Sequence, residues 1–231
     1  MPSIVAAVAQ IQGDDRPVLL LDTCILLDII RATMRCLGTN FVQRANQLQG
    51  LLTSAPPDCS LVVASVVHTE WNNNAPRTVN EVRVHLNQIQ DQAIHFHEAC
   101  KALGIALGYG LPAYPMVSLH TRLGDLSRQI LDLAIRLDPD GECSSRAVAR
   151  VVGNLPPSQQ GGEMKDCVIV EEYLELTRQL RANGFAKKCV FCTSNVNDYG
   201  NPHPDLAPDF ATANLIFTSN LSWAMHQLTT P

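Results

Sequence analysis

The sequence has no cluster of lysines and arginines, and its 231 residues carry a formal net charge of -5. A basic patch is the usual footprint of nucleic-acid binding, so its absence argues against binding through basic side chains alone. An acidic protein can still face a polyanion where its carboxylates hold divalent cations. The composition therefore permits a nucleic-acid enzyme that works through bound metal ions.

Long apolar runs are also absent, which excludes a membrane-spanning helix. The first residues, MPSIVAAVAQIQ, lack the basic start of a secretory signal. Without such a signal, the eight cysteines are expected to be free thiols rather than a disulfide framework. We expect a cytoplasmic protein with no membrane partner.

Fingerprints of several common cofactor sites are missing as well. The GYG segment at 108–110 matches no phosphate-binding loop, which argues against a nucleotide-dependent enzyme. His95 and His97 lie two positions apart, so they do not share a helix face, and no second pair with zinc spacing follows. Cys189 and Cys192 have redox spacing, but in a strand they point to opposite faces and are expected to be buried.

Short apolar runs alternate with segments of helical periodicity along the chain. Such alternation implies βαβ units, and hence an α/β fold with a mainly parallel sheet covered on both faces. We predict one domain over 1–231, with a core at about 18–74 and 161–228 and a helical insertion at about 75–160. The predicted strands are VLLL (18–21), LVVAS (61–65), KCVFCT (188–193) and LIFT (215–218); the predicted helices are two pieces divided at Gly38, then 78–103, 117–137, a short one within 138–162, 163–181 and about 221–228.

Four acidic residues are placed by this pattern at one edge of the sheet. Asp22 ends the first strand, Glu70 follows the second by about one helical turn, Asp166 lies at the start of a helix that returns to the sheet, and Asp198 follows the third strand. In parallel sheets, ligand sites gather outside the carboxyl ends of the strands. Taken singly, each acid has an ordinary explanation as a helix cap, a dipole partner, a turn residue or an exposed side chain.

The expected convergence of the four acids at one edge favours a functional explanation over these ordinary ones. Clustered carboxylates repel one another, so the cluster is costly unless protons or cations neutralise it. Mg²⁺ and Mn²⁺ prefer oxygen ligands and can bridge to phosphate, which suits phosphodiester hydrolysis with one or two ions. The sequence therefore predicts Asp22, Glu70, Asp166 and Asp198 as catalytic and metal-binding residues.

Around these acids the chain resembles the PIN-domain nuclease family. The similar segments occur in the family's order and span about residues 18–218, although each is short. In the fourth segment many family members have Asp where this chain has Asn195, so the fourth charge is assigned to Asp198. The segments are LLLDTCILLD (19–28), VVASVVHTEW (62–71), GGEMKDCVIVEEYLEL (161–176) and FCTSNVNDYG (191–200).

The resemblance implies a three-layer α/β/α sandwich and a Mg²⁺- or Mn²⁺-dependent endoribonuclease. It is closest to the larger PIN-like proteins because of the insertion, so a toxin role is not strongly implied. RNA is the expected partner ahead of DNA, with an antitoxin-like protein or a second copy of the chain as further expected partners. Supporting roles fall to Thr23, Glu163, Thr193, Ser194 and Asn195, and a nucleic-acid contact to Lys165.

Two other functions stay open at this point. Asn195 and the acidic composition also suit a catalytically silent PIN-like module that binds RNA or a protein partner. A phosphatase or other phosphotransferase could use the carboxylate of Asp22 as a nucleophile. This last hypothesis ranks third because Cys24 stands where the usual second Asp of such enzymes would be.

Overall fold

The computed structural model describes residues 1–35, 37, 39–107, 118–160 and 164–230. The GYG segment and Glu163 lie outside these ranges. The helices are α1 Ile4–Asp14, α2 Thr23–Arg31, α3 Thr39–Thr53, α4 Val67–Ala102, α5 Leu119–Asp132, α6 Gly141–Val152, α7 Met164–Ala182, α8 Val196–Tyr199, α9 Ala207–Ala213 and α10 Leu221–Thr229. The strands are β1 Val18–Leu21, β2 Ser60–Val63, β3 Ile135–Arg136, β4 Cys189–Cys192 and β5 Ile216–Thr218.

All five strands join one parallel sheet in the order β3-β2-β1-β4-β5. The central strands β1, β2 and β4 are buried along their whole length. Strands that are covered on both faces read as continuous apolar runs, and this is the pattern that VLLL and CVFC show. The predicted α/β fold with a parallel sheet is confirmed.

The strand order explains why helices cover both faces. From β1 the chain moves outward to β2 and β3, and it then returns to the other side of β1 to form β4 and β5. Because parallel crossovers are right-handed, opposite directions of travel place the connecting helices on opposite faces. The helix contacts agree, since α2 packs on α4 and α5 while α7 packs on α1, α6 and α9. Three α/β/α layers result.

The middle of the chain differs from the prediction in two respects. Helix α5 ends at Asp132, and Ile135 and Arg136 form an edge strand within the predicted 117–137 helix. Pairing with β2 stabilises these residues as a strand rather than a helix. The pairing extends one residue further, because the Leu137 amide donates to the Val63 carbonyl at 3.1 Å. Helix α4 begins at Val67 rather than at 78, so Glu70 lies in its first turn.

Helix α7 is fastened to the sheet at the edge where the candidate acids lie. The Tyr173 hydroxyl donates to the Leu21 carbonyl at 2.5 Å and accepts from the Ala64 amide at 3.0 Å, which links the ends of β1 and β2. Asp166 is seven residues earlier and therefore lies on the same helix face, two turns nearer the helix start. This anchoring directs Asp166 beyond the end of β1.

Among the described helices, none combines the length and the apolar character that crossing a bilayer requires. The cysteines that the structure describes are all free thiols, and Cys189 and Cys192 are fully buried in β4.

Candidate active site

The candidate site lies where the strand order reverses. Strand β1 pairs with β2 on one side and with β4 on the other, so the connections that leave β1 and β4 depart in opposite directions. Such a reversal opens a crevice outside the carboxyl ends of the two strands. Asp22 follows β1 directly and Thr193 follows β4 directly, and both are buried, so they lie at the base of this crevice.

A cavity of about 300 Å³ occupies the crevice. It brings together side chains from four remote parts of the chain, including all four acids that the sequence predicted. Two of the predicted supporting residues, Thr23 and Asn195, also line it, as does Lys165. The predicted residues at this cavity are Asp22, Thr23, Glu70, Lys165, Asp166, Asn195 and Asp198.

Asp22 is a buried carboxylate at the start of α2, with 3% of its surface exposed. Although it occupies the N-cap position, its side chain makes no capping hydrogen bond within the described chain. Instead its Oδ2 accepts from the Thr193 hydroxyl at 2.6 Å and from the Cys24 thiol at 3.1 Å. Burial raises the pKa of Asp22, and these hydrogen bonds oppose the shift. The Oδ2 atom of Asp22 is therefore held by the side chains of two other residues.

Glu70 reaches the cavity from the first turn of α4. Its Oε2 accepts from the Thr23 hydroxyl at 2.6 Å, and Thr23 is the first residue of α2. This bond ties the beginnings of two helices that follow neighbouring strands. Thr23 thus contributes the hydrogen bond that its predicted supporting role requires.

Asp166 provides the clearest electrostatic sign that the acids are close together. Burial, followed by the charges of Asp22, Asp198 and Glu70, raises the pKa of Asp166 to about 7. The Tyr199 hydroxyl opposes the shift weakly by donating to Asp166 Oδ1 at 3.3 Å. A carboxyl group with this pKa is only partly ionised at neutral pH unless a cation neutralises its neighbours.

Asp198 lies on the short helix α8 that follows β4. The Asn195 side-chain amide donates to its Oδ2 at 2.7 Å. Ser194 and Thr193 do not line the cavity; Ser194 donates to Asp28 at 2.6 Å, and Thr193 donates to Asp22. The amide of Asn195 therefore positions the carboxylate of Asp198.

Two residues that sequence reasoning missed support this edge. Asp28 is 2% exposed, and it joins the Arg35 guanidinium at 2.6 Å to the Ser194 hydroxyl. Cys24 accepts from the Ser194 amide at 3.0 Å, and burial raises its pKa well above the ordinary value, so the thiol stays protonated and donates to Asp22. Asp28 could have been identified from the sequence, because it is an acidic residue among the apolar residues of α2.

Some of the basic residues near the site line the cavity, and others are paired with acids elsewhere. Lys165 lines the cavity, whereas Arg146 and Arg150 lie outside its lining and form ion pairs with Glu171. Arg150 is 9% exposed, so its charge is buried and is compensated by Glu171 and Asp209. Arg31 and Arg35 line the cavity instead, and the sequence did not indicate them.

The donor chemistry of the cavity fits a hard divalent cation. Its lining offers four carboxylates, which are the oxygen ligands that Mg²⁺ and Mn²⁺ prefer. Within the described residues, no three His, Cys, Asp or Glu side chains are grouped as a ready-made set of metal ligands. The fit therefore rests on the donor set and on the raised pKa of Asp166.

Comparisons of the chain with known family models, with curated proteins and with solved structures gave no match.

Proposed function

We propose that this protein is a metal-dependent endonuclease of the PIN-like type that hydrolyses phosphodiester bonds, with RNA as its preferred substrate. The observation that carries the proposal is the meeting of four acids from four remote segments in one crevice at the sheet's reversal point. The ordered PIN-like segments and the strand-end positions of Asp22 and Thr193 support it.

The residues that would hold Mg²⁺ or Mn²⁺ are Asp22, Glu70, Asp166 and Asp198. The ion supplies positive charge that activates water and stabilises the charge that develops on the phosphate. The four carboxylates repel one another, so bringing them together costs free energy, and a bound cation would offset that cost.

The chain's own contribution is to fix the acids before the substrate arrives. Thr193 and Cys24 hold Asp22, Thr23 holds Glu70, and Asn195 holds Asp198. Hydrogen bonds of this kind orient ligating groups, and their loss typically costs about 10–100-fold in metal affinity or activity. The neighbouring arginines and Lys165 face the same cavity, which suits an anionic substrate.

A cleavage assay tests the proposal directly. The purified protein is incubated with mixed pools of RNA and DNA, single-stranded and duplex, in Mn²⁺, Mg²⁺ or EDTA. We expect internal cleavage of RNA that requires a divalent ion and falls by on the order of 100-fold or more in Asp22→Asn and in Asp166→Asn.

The matched control is Asp91→Asn, which removes the same charge from an exposed position on α4. It should cleave like the wild type. Absence of cleavage of every pool in both ions would contradict the proposal, as would full activity of Asp22→Asn. RNA binding without any cleavage would instead favour the catalytically silent module.

A further inference from the structure

A second cavity, of about 410 Å³, adjoins the acid site between α2 and α4. Three arginines line it: Arg31, Arg35 and Arg77. Arg31 and Arg35 also line the acid cavity, so the two spaces are contiguous through these side chains. The sequence shows no basic cluster because Arg31 ends α2, Arg35 lies in the turn after it, and Arg77 comes from α4.

The arginines are placed so that their guanidinium groups can donate hydrogen bonds to a further partner. Arg31 donates to a neutral group, the Thr78 hydroxyl, at 3.2 Å. Arg35 is held by the buried Asp28, yet half of its side chain remains exposed. Arg77 is 83% exposed, and its ion pair with Glu81 lies at the surface. Surface pairs of this kind contribute little to stability, so a stronger acceptor can displace them easily.

Phosphate diesters are the ligands that such a cavity suits best. The planar guanidinium offers several donors in a fork that matches phosphate oxygens, and a flexible strand carries one phosphate per nucleotide. A strand whose scissile phosphate enters the acid cavity must continue outward over a neighbouring surface. The arginine cavity is contiguous with the acid site, so it offers the strand a cationic path in a chain of net charge -5.

We propose that Arg31, Arg35 and Arg77 form a phosphate-binding groove that holds single-stranded nucleic acid on one side of the bond cut at the acid site. This inference rests on the proposed function. A single strand is favoured over a duplex because Asp22 is 3% exposed at the base of a recess, which a flexible backbone can enter. A paired and stacked backbone would have to open first.

Binding is measured first, in EDTA, so that cleavage plays no part. An end-labelled single-stranded RNA, its DNA counterpart and the matching duplex are titrated with wild type, Arg77→Gln and Arg83→Gln, and anisotropy is followed across a salt series. Arg83 lies on the same helix, is exposed and does not line the cavity, so its variant is matched in charge and in position.

We expect Arg77→Gln to bind single strands about 3–10-fold more weakly than Arg83→Gln, with the salt slope smaller by about 0.7, as for the loss of one phosphate contact. Equal affinities and slopes for the two variants would overturn the groove. Tighter binding of the duplex than of the single strand would overturn the choice of substrate class. Comparison of the affinities for RNA and for DNA shows whether the groove prefers ribose or deoxyribose.

Cleavage kinetics then separate the two proposals. A small activated phosphodiester, bis(p-nitrophenyl) phosphate, has no flanking phosphates, so Arg77→Gln should hydrolyse it at the wild-type rate in Mn²⁺. The same variant should show a raised KM on single-stranded RNA with little change in kcat, since the groove binds outside the reacting bond. Loss of activity on both substrates would overturn the groove, whereas an inactive wild type would refute the nuclease.

Discussion

Two buried aspartates six residues apart show how similar side chains acquire different roles. Asp28 is compensated within the protein, because Arg35 donates to it at 2.6 Å. Asp22 is equally buried, but the side chains that donate to it, Thr193 and Cys24, are neutral. Burial of a carboxylate is costly without an opposite charge. Asp28 is therefore a positioning residue, and Asp22 is the one that gains most from an added cation.

The raised pKa of Asp166 predicts a pH effect on stability in the metal-free protein. Its folded value of about 7 exceeds the ordinary 3.8, so the native state binds the proton more tightly than the unfolded state does. The resulting stabilisation is fully present below about pH 4 and is lost as the pH rises to about 7, by at most about 4 kcal/mol.

Denaturant titrations in EDTA between these pH values measure this effect. The wild type should lose stability relative to Asp166→Asn as the pH rises, because the variant cannot ionise there. Saturating Mg²⁺ should abolish the relative loss. A constant difference between the two proteins across the range would show that Asp166 is not held near the other acids.

Helix α7 joins the acid site to the rest of the protein. Its first turn carries Asp166, and Glu172 accepts from both the amide and the hydroxyl of Ser65 at 2.7 Å at the end of β2. The residue before it, Glu171, points to another side of the helix and accepts hydrogen bonds from Arg146 and Arg150 of α6. These polar anchors fix the helix both along its axis and around it, which an apolar face alone does less specifically.

The anchors predict different costs for two arginine substitutions on α6. Arg150→Met removes the buried guanidinium that pairs with Glu171, which is buried, and with Asp209, whose side chain is 35% exposed. Only Arg146 then pairs with Glu171, and we expect a loss of about 3 kcal/mol in the free energy of unfolding. Arg146→Met is the control, since Arg146 is 36% exposed and Arg150 still pairs with Glu171. That variant should lose about 1 kcal/mol or less. Equal losses in urea titrations would show that burial does not set the cost.

At the scale of the whole molecule, the reversal of strand order gathers segments that are remote in sequence. The edge beside β1 and β4 receives side chains from residues 22, 70, 166 and 198. A ligand that binds all of them stabilises only the folded state, because the unfolded chain does not hold them together. Cation binding should therefore appear as a change in global stability.

Thermal unfolding tests this coupling. At a Mg²⁺ or Mn²⁺ concentration about 100 times its Kd, the ion adds about 2.7 kcal/mol, which corresponds to a rise in Tm of about 5–10 °C for a chain of this size. Asp22→Asn should lose the rise, and Asp91→Asn should retain it. A rise of the same size in Asp22→Asn would place the ion elsewhere on the protein.

The sequence alone determined the central strands, most helices and the edge of the sheet at which the four acids meet. These predictions succeeded because apolar runs and helical periodicity are local signals, and because the carboxyl ends of parallel strands share one edge whatever the exact packing. The edge strand at Ile135 and Arg136 was missed, since a two-residue strand has no periodicity and exists only through its pairing with β2.

Only the tertiary structure decided which charges face the site. Arg31, Arg35 and Arg77 meet because α2 packs on α4, while Arg150 turns inward because α6 packs on α7. The rotation of each helix about its axis sets these outcomes, and it depends on contacts between remote segments that a linear pattern does not record. The acids could thus be found from the sequence, whereas the arginines beside them required the fold.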